Sequence, residues 1–471
     1  MFFKQYYLGC LAHASYMIGD EKTGQAVVVD PKRDVEDYIQ DAEQNGLRIA
    51  HVILTHFHAD FIAGHLELRD RVGAKIHLGA SARAEYHFVA EADGSCLELG
   101  EVRLQFLETP GHTPEGLCIL VYDLPKSREA PEMVLTGDTL FIGDVGRPDL
   151  MASEGISEEA LASSLYLSLH RKLMPLPEQT QVYPAHGAGS MCGKKLSDET
   201  VSTIGEQKRL NYALQPMSQE EFVAMVTENL PAAPQYFAYD ARLNKKERQN
   251  LEQSLECGLR PLGLDEFLDQ HQQGHQVLDT RPDADFNAAH FKGALQVGLG
   301  GKFASWVGVL LTPDIPLLIV ADPGAEYESE MRLGRIGFDR VTGFLQGGMT
   351  AFEGRPDMVE SVTQWTTKDF FRELESGSPL QVIDVRTAGE YRDIHLEQAE
   401  NIPLNGLQER LSEVSMDKTI LVHCAAGYRS TIACSLLKMN GYAKVVNLIG
   451  GMGALEKCAE KFKQPLVVSQ D

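Results

Sequence analysis

Thr55-His56-Phe57-His58-Ala59-Asp60-Phe61-Ile62-Ala63-Gly64-His65 follows an apolar run at 51–54, and its reading decides the fold of the amino-terminal half. Two imidazoles and a carboxylate at alternate positions on a loop leaving a strand can converge on one point, as metal binding demands. One such loop is only moderately specific. It is joined by Thr109-Pro-Gly-His112-Thr-Pro-Glu-Gly116, Thr136-Gly-Asp138-Thr-Leu-Phe141 and Tyr183-Pro-Ala-His186-Gly187, each behind its own apolar run. His56, His112 and Asp138 are the candidate metal set. His13, His51, His77, His87 and His170 stand alone in the sequence and read as structural or solvated, and His65 reads as helix packing.

Around these loops, strand-like runs at 26–30, 103–108, 117–122 and 133–136 and a helix-like stretch at 35–45 give the rhythm of a layered α/β domain. Between about 197 and 260 the pattern turns helical and charged, broken at Pro231 and Pro234, and reads as the last helices of the first domain plus a linker.

The order of the four loops resembles the metallo-β-lactamase superfamily, over roughly residues 1–245. The resemblance implies an αββα sandwich with its metal at one edge. Dinuclear members such as glyoxalase II carry His-x-His-x-Asp-His, whose last histidine ligates a second metal, and here Phe61 stands at that place. A hydrocarbon ring offers no lone pair, so a two-zinc hydrolase loses a ligand. The pattern is then similar to the persulfide dioxygenase branch. That likeness implies one Fe(II) per chain on His56, His112 and Asp138, with open positions for a sulfur substrate and for dioxygen as co-substrate. It makes His58, Asp60 and His186 groups that orient the ligands, with His58 a fourth ligand if zinc were bound. The loop Gly143-Asp-Val-Gly-Arg147-Pro-Asp149-Leu150 resembles the family's Gly-Arg-x-Asp loop; Arg147 either braces it by pairing with a carboxylate or meets an anionic substrate.

The remainder repeats itself. Gln276-Val-Leu-Asp279-Thr-Arg281 recurs as Gln381-Val-Ile-Asp384-Val-Arg386, and Leu345-Gln-Gly-Gly-Met349 as Leu448-Ile-Gly-Gly-Met452, about one hundred residues apart. In the second copy an apolar strand runs into His423-Cys424-Ala-Ala-Gly427-Tyr-Arg429-Ser430 ahead of a helical stretch. A cysteine at the start of a helix sits among unpaired N–H groups at its positive end, which favours thiolate. Cys424 is the candidate nucleophile, with Arg429 adding positive charge. This segment resembles rhodanese, its four-residue gap between Cys424 and Arg429 matching sulfurtransferases rather than the longer loop of related phosphatases. The first copy has no cysteine, since none occurs between Cys257 and Cys424, and reads as an inactive rhodanese-like domain. The expected plan is therefore 1–245 metallo-β-lactamase-like, 246–259 linker, 260–360 inactive rhodanese-like and 361–471 catalytic rhodanese.

Composition agrees with three folded domains on 471 residues. A formal net charge of −24 and the lack of a basic cluster exclude nucleic acid as a partner, and no long apolar run suggests membrane insertion. Eight scattered cysteines fit a reducing cytoplasm better than a disulfide framework. The combined resemblance implies oxidation of a thiol persulfide (of the glutathione, coenzyme A or bacillithiol type) to sulfite and thiol. Rhodanese transfer to sulfite then gives thiosulfate, as in sulfide detoxification, by a homo-oligomer. The alternative is a glyoxalase II-like zinc thioester hydrolase with an appended sulfurtransferase.

Overall fold

The computed structural model describes residues 1–471 apart from 151–154, 195, 229, 231–233, 235, 463–465 and 469–471, so Pro231 lies outside the described residues. The chain divides into two compact units, 1–253 with 334–337, and 254–333 with 338–471.

The first unit holds two six-stranded sheets. In one, β1 (Phe2–Leu8), β2 (His13–Asp20), β3 (Gln25–Val29), β4 (Arg48–Ile53), β5 (Lys75–Gly79) and β6 (Val89–Glu91) lie side by side in chain order. The first three strands are antiparallel and the rest parallel. Parallel neighbours need a crossover, and α1 (Glu36–Gln44) and α2 (His65–Val72) supply two of them. The other sheet runs β7 (Cys96–Leu99), β8 (Val102–Glu108), β9 (Leu117–Asp123), β10 (Met133–Gly137), β11 (Gln181–Pro184) and β12 (Ser202–Thr203). Helix α3 (Glu158–Ser168), N-capped by Ser157, lies between the parallel pair β10 and β11 in the chain. The helices α4 (Ile204–Leu210), α5 (Gln219–Thr227) and α6 (Tyr236–Lys245) follow.

Side chains alternate across a strand, and that alternation stacks the layers. Tyr16, Ile18, Val27 and Val29 share one core with Leu104, Phe106, Ile119 and Leu135 of the second sheet. Their neighbours Met17, Ala26 and Val28 pack outward with Tyr38 and Leu66 of α1 and α2. On the far side, Cys118, Leu120 and Val134 pack with Leu165 of α3 and Phe222 of α5. The result is the expected αββα sandwich. Four of its strands end at one edge, each releasing a loop that carries a candidate ligand or ligand-orienting residue: β4 into His56, β8 into His112, β10 into Asp138 and β11 into His186.

Residues 246–259, read as a linker, carry a helix, α7 (Leu251–Gly258). The second unit contains two parallel five-stranded sheets of the same strand order. In the middle repeat these are β13 (Pro261–Leu262), β14 (Gln276–Asp279), β16 (Leu295–Gln296), β17 (Leu317–Val320) and β18 (Val341–Leu345). The helices α8 (Leu264–Gln272), α9 (Asp283–Ala288), α10 (Phe303–Leu310) and α11 (Glu326–Gly334) accompany them, and β15 (His290–Phe291) pairs with β19 (Val359–Glu360). The carboxy-terminal repeat uses β20 (Thr363–Trp365), β21 (Leu380–Asp384), β23 (Ala399–Asn401), β24 (Thr419–His423) and β25 (Val445–Leu448) with α12 (Thr367–Ser376), α13 (Ala388–Asp393), α14 (Tyr428–Met439) and α15 (Gly451–Phe462). A small pair, β22 (Ile394–Leu396) and β26 (Leu466–Val468), completes it. The α/β sandwich is thus followed by two rhodanese-like α/β folds.

Candidate metal centre and sulfur-transfer loop

At the sandwich edge His56, His112 and Asp138 present ligand atoms within 4.8 Å of one another, all from buried residues. His56 Nε2 lies 3.8 Å and His112 Nε2 3.4 Å from Asp138 Oδ2. These spacings are long for a hydrogen bond and suit three donors each about 2.0–2.2 Å from a common ion. Asp138 Oδ2 is buried without a hydrogen-bond partner, a cost of about 1–3 kcal/mol or more for a charged group that a cation would remove. The donor set therefore fits a metal.

Neighbouring groups fix the tautomers. His56 Nδ1 is 3.0 Å from Thr55 Oγ1, whose own hydrogen goes to Asp30 Oδ2 at 2.8 Å, so Nδ1–H must donate and Nε2 keeps its lone pair. His112 Nδ1 donates to the Arg147 carbonyl at 2.8 Å with the same effect. Burial, reinforced by the His58 charge, pushes His56 well below the usual imidazole range. Burial would raise the Asp138 carboxyl, but His186 and His56 hold it well below the usual carboxylate range. Both are thus in the deprotonated state that binds metal. Close approach matters too: a Cβ on Gly146 would strike the Asp138 carbonyl and crowd His112.

His58, Asp60 and His186 form a second group beside the first, sharing no atom with it. His186 Nδ1 hydrogen-bonds Asp138 Oδ1 at 2.8 Å and its Nε2 lies 2.9 Å from Asp60 Oδ2. Burial would lower this imidazole, but the carboxylates of Asp138 and Asp60 hold it well above its ordinary range. His58 Nε2 lies 3.0 Å from Asp30 Oδ1, and its ring packs 4.2 Å from that of His56. Phe61 is fully buried, its ring 4.4 Å from that of His58. Arg147 is buried and gripped by Asp149 through two 2.7 Å bonds, with a third bond to the Met191 carbonyl at 3.2 Å, so it braces the loop.

Three residues enter the site that no local motif announced. His13, read as isolated, packs at a tilt against Phe61 with ring centroids 4.1 Å apart and pairs backbone to backbone with His186. Asp30 adopts φ +50° and binds both the Thr55 N–H and its hydroxyl, a strained position held by what it anchors. Cys192 groups with Asp138 and His186. Each reaches the edge from a different strand or loop, leaving no spacing to read.

In the carboxy-terminal repeat, β24 delivers Cys424 to the start of α14, and the Gly427 N–H meets its Sγ at 3.1 Å. The Gly427 φ of +130° turns the loop back on itself. The Arg429 guanidinium makes two 2.7 Å bonds to Glu390, which also caps α13, so its positive charge is matched. Arg429 and Thr387 draw the Glu390 carboxyl down to about 2. In the middle repeat Asp279 pairs with Val320 as Asp384 pairs with His423, which puts Ala321 at the position of Cys424.

A buried His/Asp cluster at the edge of an αββα sandwich and a cysteine loop at a helix start lie on one chain, which makes this a two-part α/β protein with a candidate metal centre and a candidate nucleophile. A family model described as the metallo-beta-lactamase superfamily matches residues 8–186, and one described as the rhodanese-like domain matches 366–458. The mitochondrial persulfide dioxygenase ETHE1 of Bos taurus is 32% identical over 237 residues, 49% of this chain and 82% of that protein. The cytoplasmic hydroxyacylglutathione hydrolase of Arabidopsis thaliana is 36% identical over 186 residues, 39% of this chain and 67% of that protein. The crystal structure of a metallo-beta-lactamase from Staphylococcus aureus subsp. aureus COL is 30% identical, with a TM-score of 0.64, covering 73% of this chain and 98% of that one. The chain belongs to the metallo-β-lactamase superfamily, as a fusion of a domain homologous to persulfide dioxygenases with a carboxy-terminal rhodanese-like domain.

Proposed function

We propose that the amino-terminal domain, residues 1–245, oxidises a low-molecular-weight thiol persulfide, R–S–SH + O2 + H2O giving R–SH, sulfite and two protons. Residues 361–471 then move a sulfane sulfur through Cys424, R–S–SH + sulfite giving R–SH and thiosulfate, with residues 260–360 catalytically silent. One observation carries the reading: three buried donors converge with Asp138 Oδ2 unsatisfied. The resemblance adds that the buried Phe61 stands where two-metal members have a histidine.

On this reading His56, His112 and Asp138 hold one Fe(II). When bound, iron supplies the one-electron chemistry that lets dioxygen react with a spin-paired sulfur substrate. Thr55 and the Arg147 carbonyl hold the ring nitrogens in the ligating tautomer, and His186 aims Asp138. The Asp60 and Asp30 carboxylates lie 2.9 and 3.0 Å from the Nε2 atoms of His186 and His58 and set negative charge beside these two rings. In the other domain the Gly427 N–H stabilises negative charge on Cys424 Sγ. Fusion raises the local concentration of the sulfite the two reactions share. No helix among the described residues is long and apolar enough to cross a membrane, which fits a cytoplasmic enzyme.

Similarity to the Arabidopsis hydrolase favours a second reading, a zinc thioester hydrolase. One experiment separates the two: anaerobic purification with metal analysis, then an oxygen electrode with glutathione persulfide and coenzyme A persulfide. Near-stoichiometric iron and persulfide-dependent oxygen uptake are expected. Two zinc ions per chain with thioester turnover and no oxygen uptake would overturn the dioxygenase.

A further inference from the structure

Access to the Cys424 loop is not shaped by its own repeat alone. A cavity of about 580 Å³ opens beside the loop, lined by Ala426, Gly427 and Asn447 of the catalytic repeat and by Asp283, Asn287 and Ala288 of α9 in the middle repeat. Gly427 is the residue whose N–H meets Cys424 Sγ. The two repeats are tied together around it. Asn287 Nδ2 donates to Thr431 Oγ1 at 3.1 Å, the Tyr428 hydroxyl to the Gly298 carbonyl at 3.0 Å and the Gln296 N–H to Ser435 Oγ at 3.0 Å. Moving the middle repeat away would strand these polar groups, most of them buried, at a cost, so the wall is a fixed part of the site.

The wall is acidic. Asp283 Oδ2 stands 3.7 Å from where a Cβ on Gly427 would lie, and Asp283 has no cationic partner among the described residues. Arg429, the one cation of the loop, is matched by Glu390. Asn287 and Asn447 also line the cavity, and both turn their amide N–H toward Thr431, which ties the wall to the start of α14. The cavity is the size of an organic-ligand pocket, far larger than an inorganic dianion, and Asp283 gives it negative charge beside the loop.

We propose that the middle repeat is a specificity element for Cys424: Asp283 selects, as sulfur donor, the persulfide of a peptide-like thiol bearing an ammonium group, and disfavours thiosulfate. The inference rests on the sulfurtransferase reading of Cys424. The Cys424 thiolate attacks the outer sulfur of R–S–SH, the S–S bond breaks, and its electron pair leaves on R–S⁻, which takes up a proton; Cys424 is left as the persulfide. Sulfite attacks that outer sulfur, releasing thiosulfate and the thiolate. Near neutral pH sulfite carries less average charge than thiosulfate, so Asp283 opposes its entry less than it opposes return of the product.

The test uses the full chain with Asp283→Asn and Asp283→Lys, measuring sulfur transfer to cyanide from thiosulfate and from glutathione persulfide. The ratio of kcat/KM for thiosulfate to that for glutathione persulfide should rise about tenfold in Asp283→Asn, the order expected for one charge facing a dianion at a partly exposed rim, and further in Asp283→Lys. A ratio within about twofold of the parent in both variants, or one that moves toward the persulfide, overturns the inference. Cys424→Ser separates the two ideas. If it abolishes both transfers while the Asp283 variants keep the parent ratio, only the specificity role falls; if transfer persists in Cys424→Ser, the reading beneath it falls.

Discussion

Replacing His186 by glutamine asks whether Asp138 is held ready for a metal. One imidazole fixes two buried carboxylates, through the 2.8 Å bond to Asp138 Oδ1 and the 2.9 Å approach to Asp60 Oδ2. Glutamine keeps one amide donor and sets a carbonyl against the other carboxylate. A hydrogen bond to a charged group is worth about 1.5–3 kcal/mol. Changing a residue that orients a metal ligand costs about 10–100-fold in metal affinity, which at about 1.4 kcal/mol per decade is about 1.4–2.8 kcal/mol. The two routes agree, so His186→Gln should bind iron one to two decades more weakly. The assay is chelator competition on the full chain under nitrogen, followed by metal analysis. Sulfite formation should fall with the bound metal, while transfer through Cys424, measured on the same sample, holds at the parent rate. An iron affinity within about twofold of the parent would refute the assignment of Asp138 as a ligand aimed by His186.

Phe61→His restores the missing donor beside Asp60, His58 and His186; metal per chain should rise from one ion toward two on zinc loading, and an unchanged stoichiometry would remove Phe61 as the reason for a single site. Glu67 is buried against Arg248 (2.6 and 3.0 Å) and Arg33 (3.1 Å). Burial would raise its carboxyl, but Arg248 and then Arg33 hold it down to about 2 from 4.5, so its stabilisation is full above pH 4.5 and lost as pH falls through 2, about 3 kcal/mol in all. Glu67→Gln should lose about that much at pH 7 and flatten the acid limb of denaturant unfolding over that window; a parallel limb would count against it. Glu330 is buried with neither carboxylate oxygen hydrogen-bonded, and burial, then Asp339, push it up to about 8. Stability tied to it is full below 4.5 and lost as pH rises through 8, so Glu330→Gln should melt above the parent at pH 8.5 and alongside it at pH 4.5; equal midpoints at both would disprove this.

The metal loops could be read from the chain because each donor sits just beyond an apolar strand, and these four strands end at the same edge of the sandwich. The same logic failed for His13. It stands at the start of β2, and only sheet closure, with the Ala14 N–H bonded to the Ala185 carbonyl at 2.7 Å, brings it beside His186. Asp30 was hidden for a related reason: it ends β3, and it reaches Thr55 because β3 and β4 are parallel neighbours. Arg429 shows a different limit. Its charge was plain in the sequence, but its neutralisation depends on Glu390, a capping-box residue whose spacing advertises only a helix start.

The middle repeat shows what divergence removed and what it kept. Sheet register puts Ala321 where the other copy has Cys424, so the side chain on which the proposed transfer depends is absent from this copy. The frame did not follow. Arg281 still grips Asp279 at 2.6 Å, as Arg386 grips Asp384 at 2.6 Å, and in each copy the same guanidinium also reaches a carbonyl eight residues on. Those bonds brace the turn after the second strand, and that turn launches α9. Removing one partner of such a buried pair strands the other charge at a cost of about 3–5 kcal/mol, so the turn holds its shape in both copies. In the middle repeat that turn sets the position of α9, the helix that lines the cavity beside the loop of Cys424.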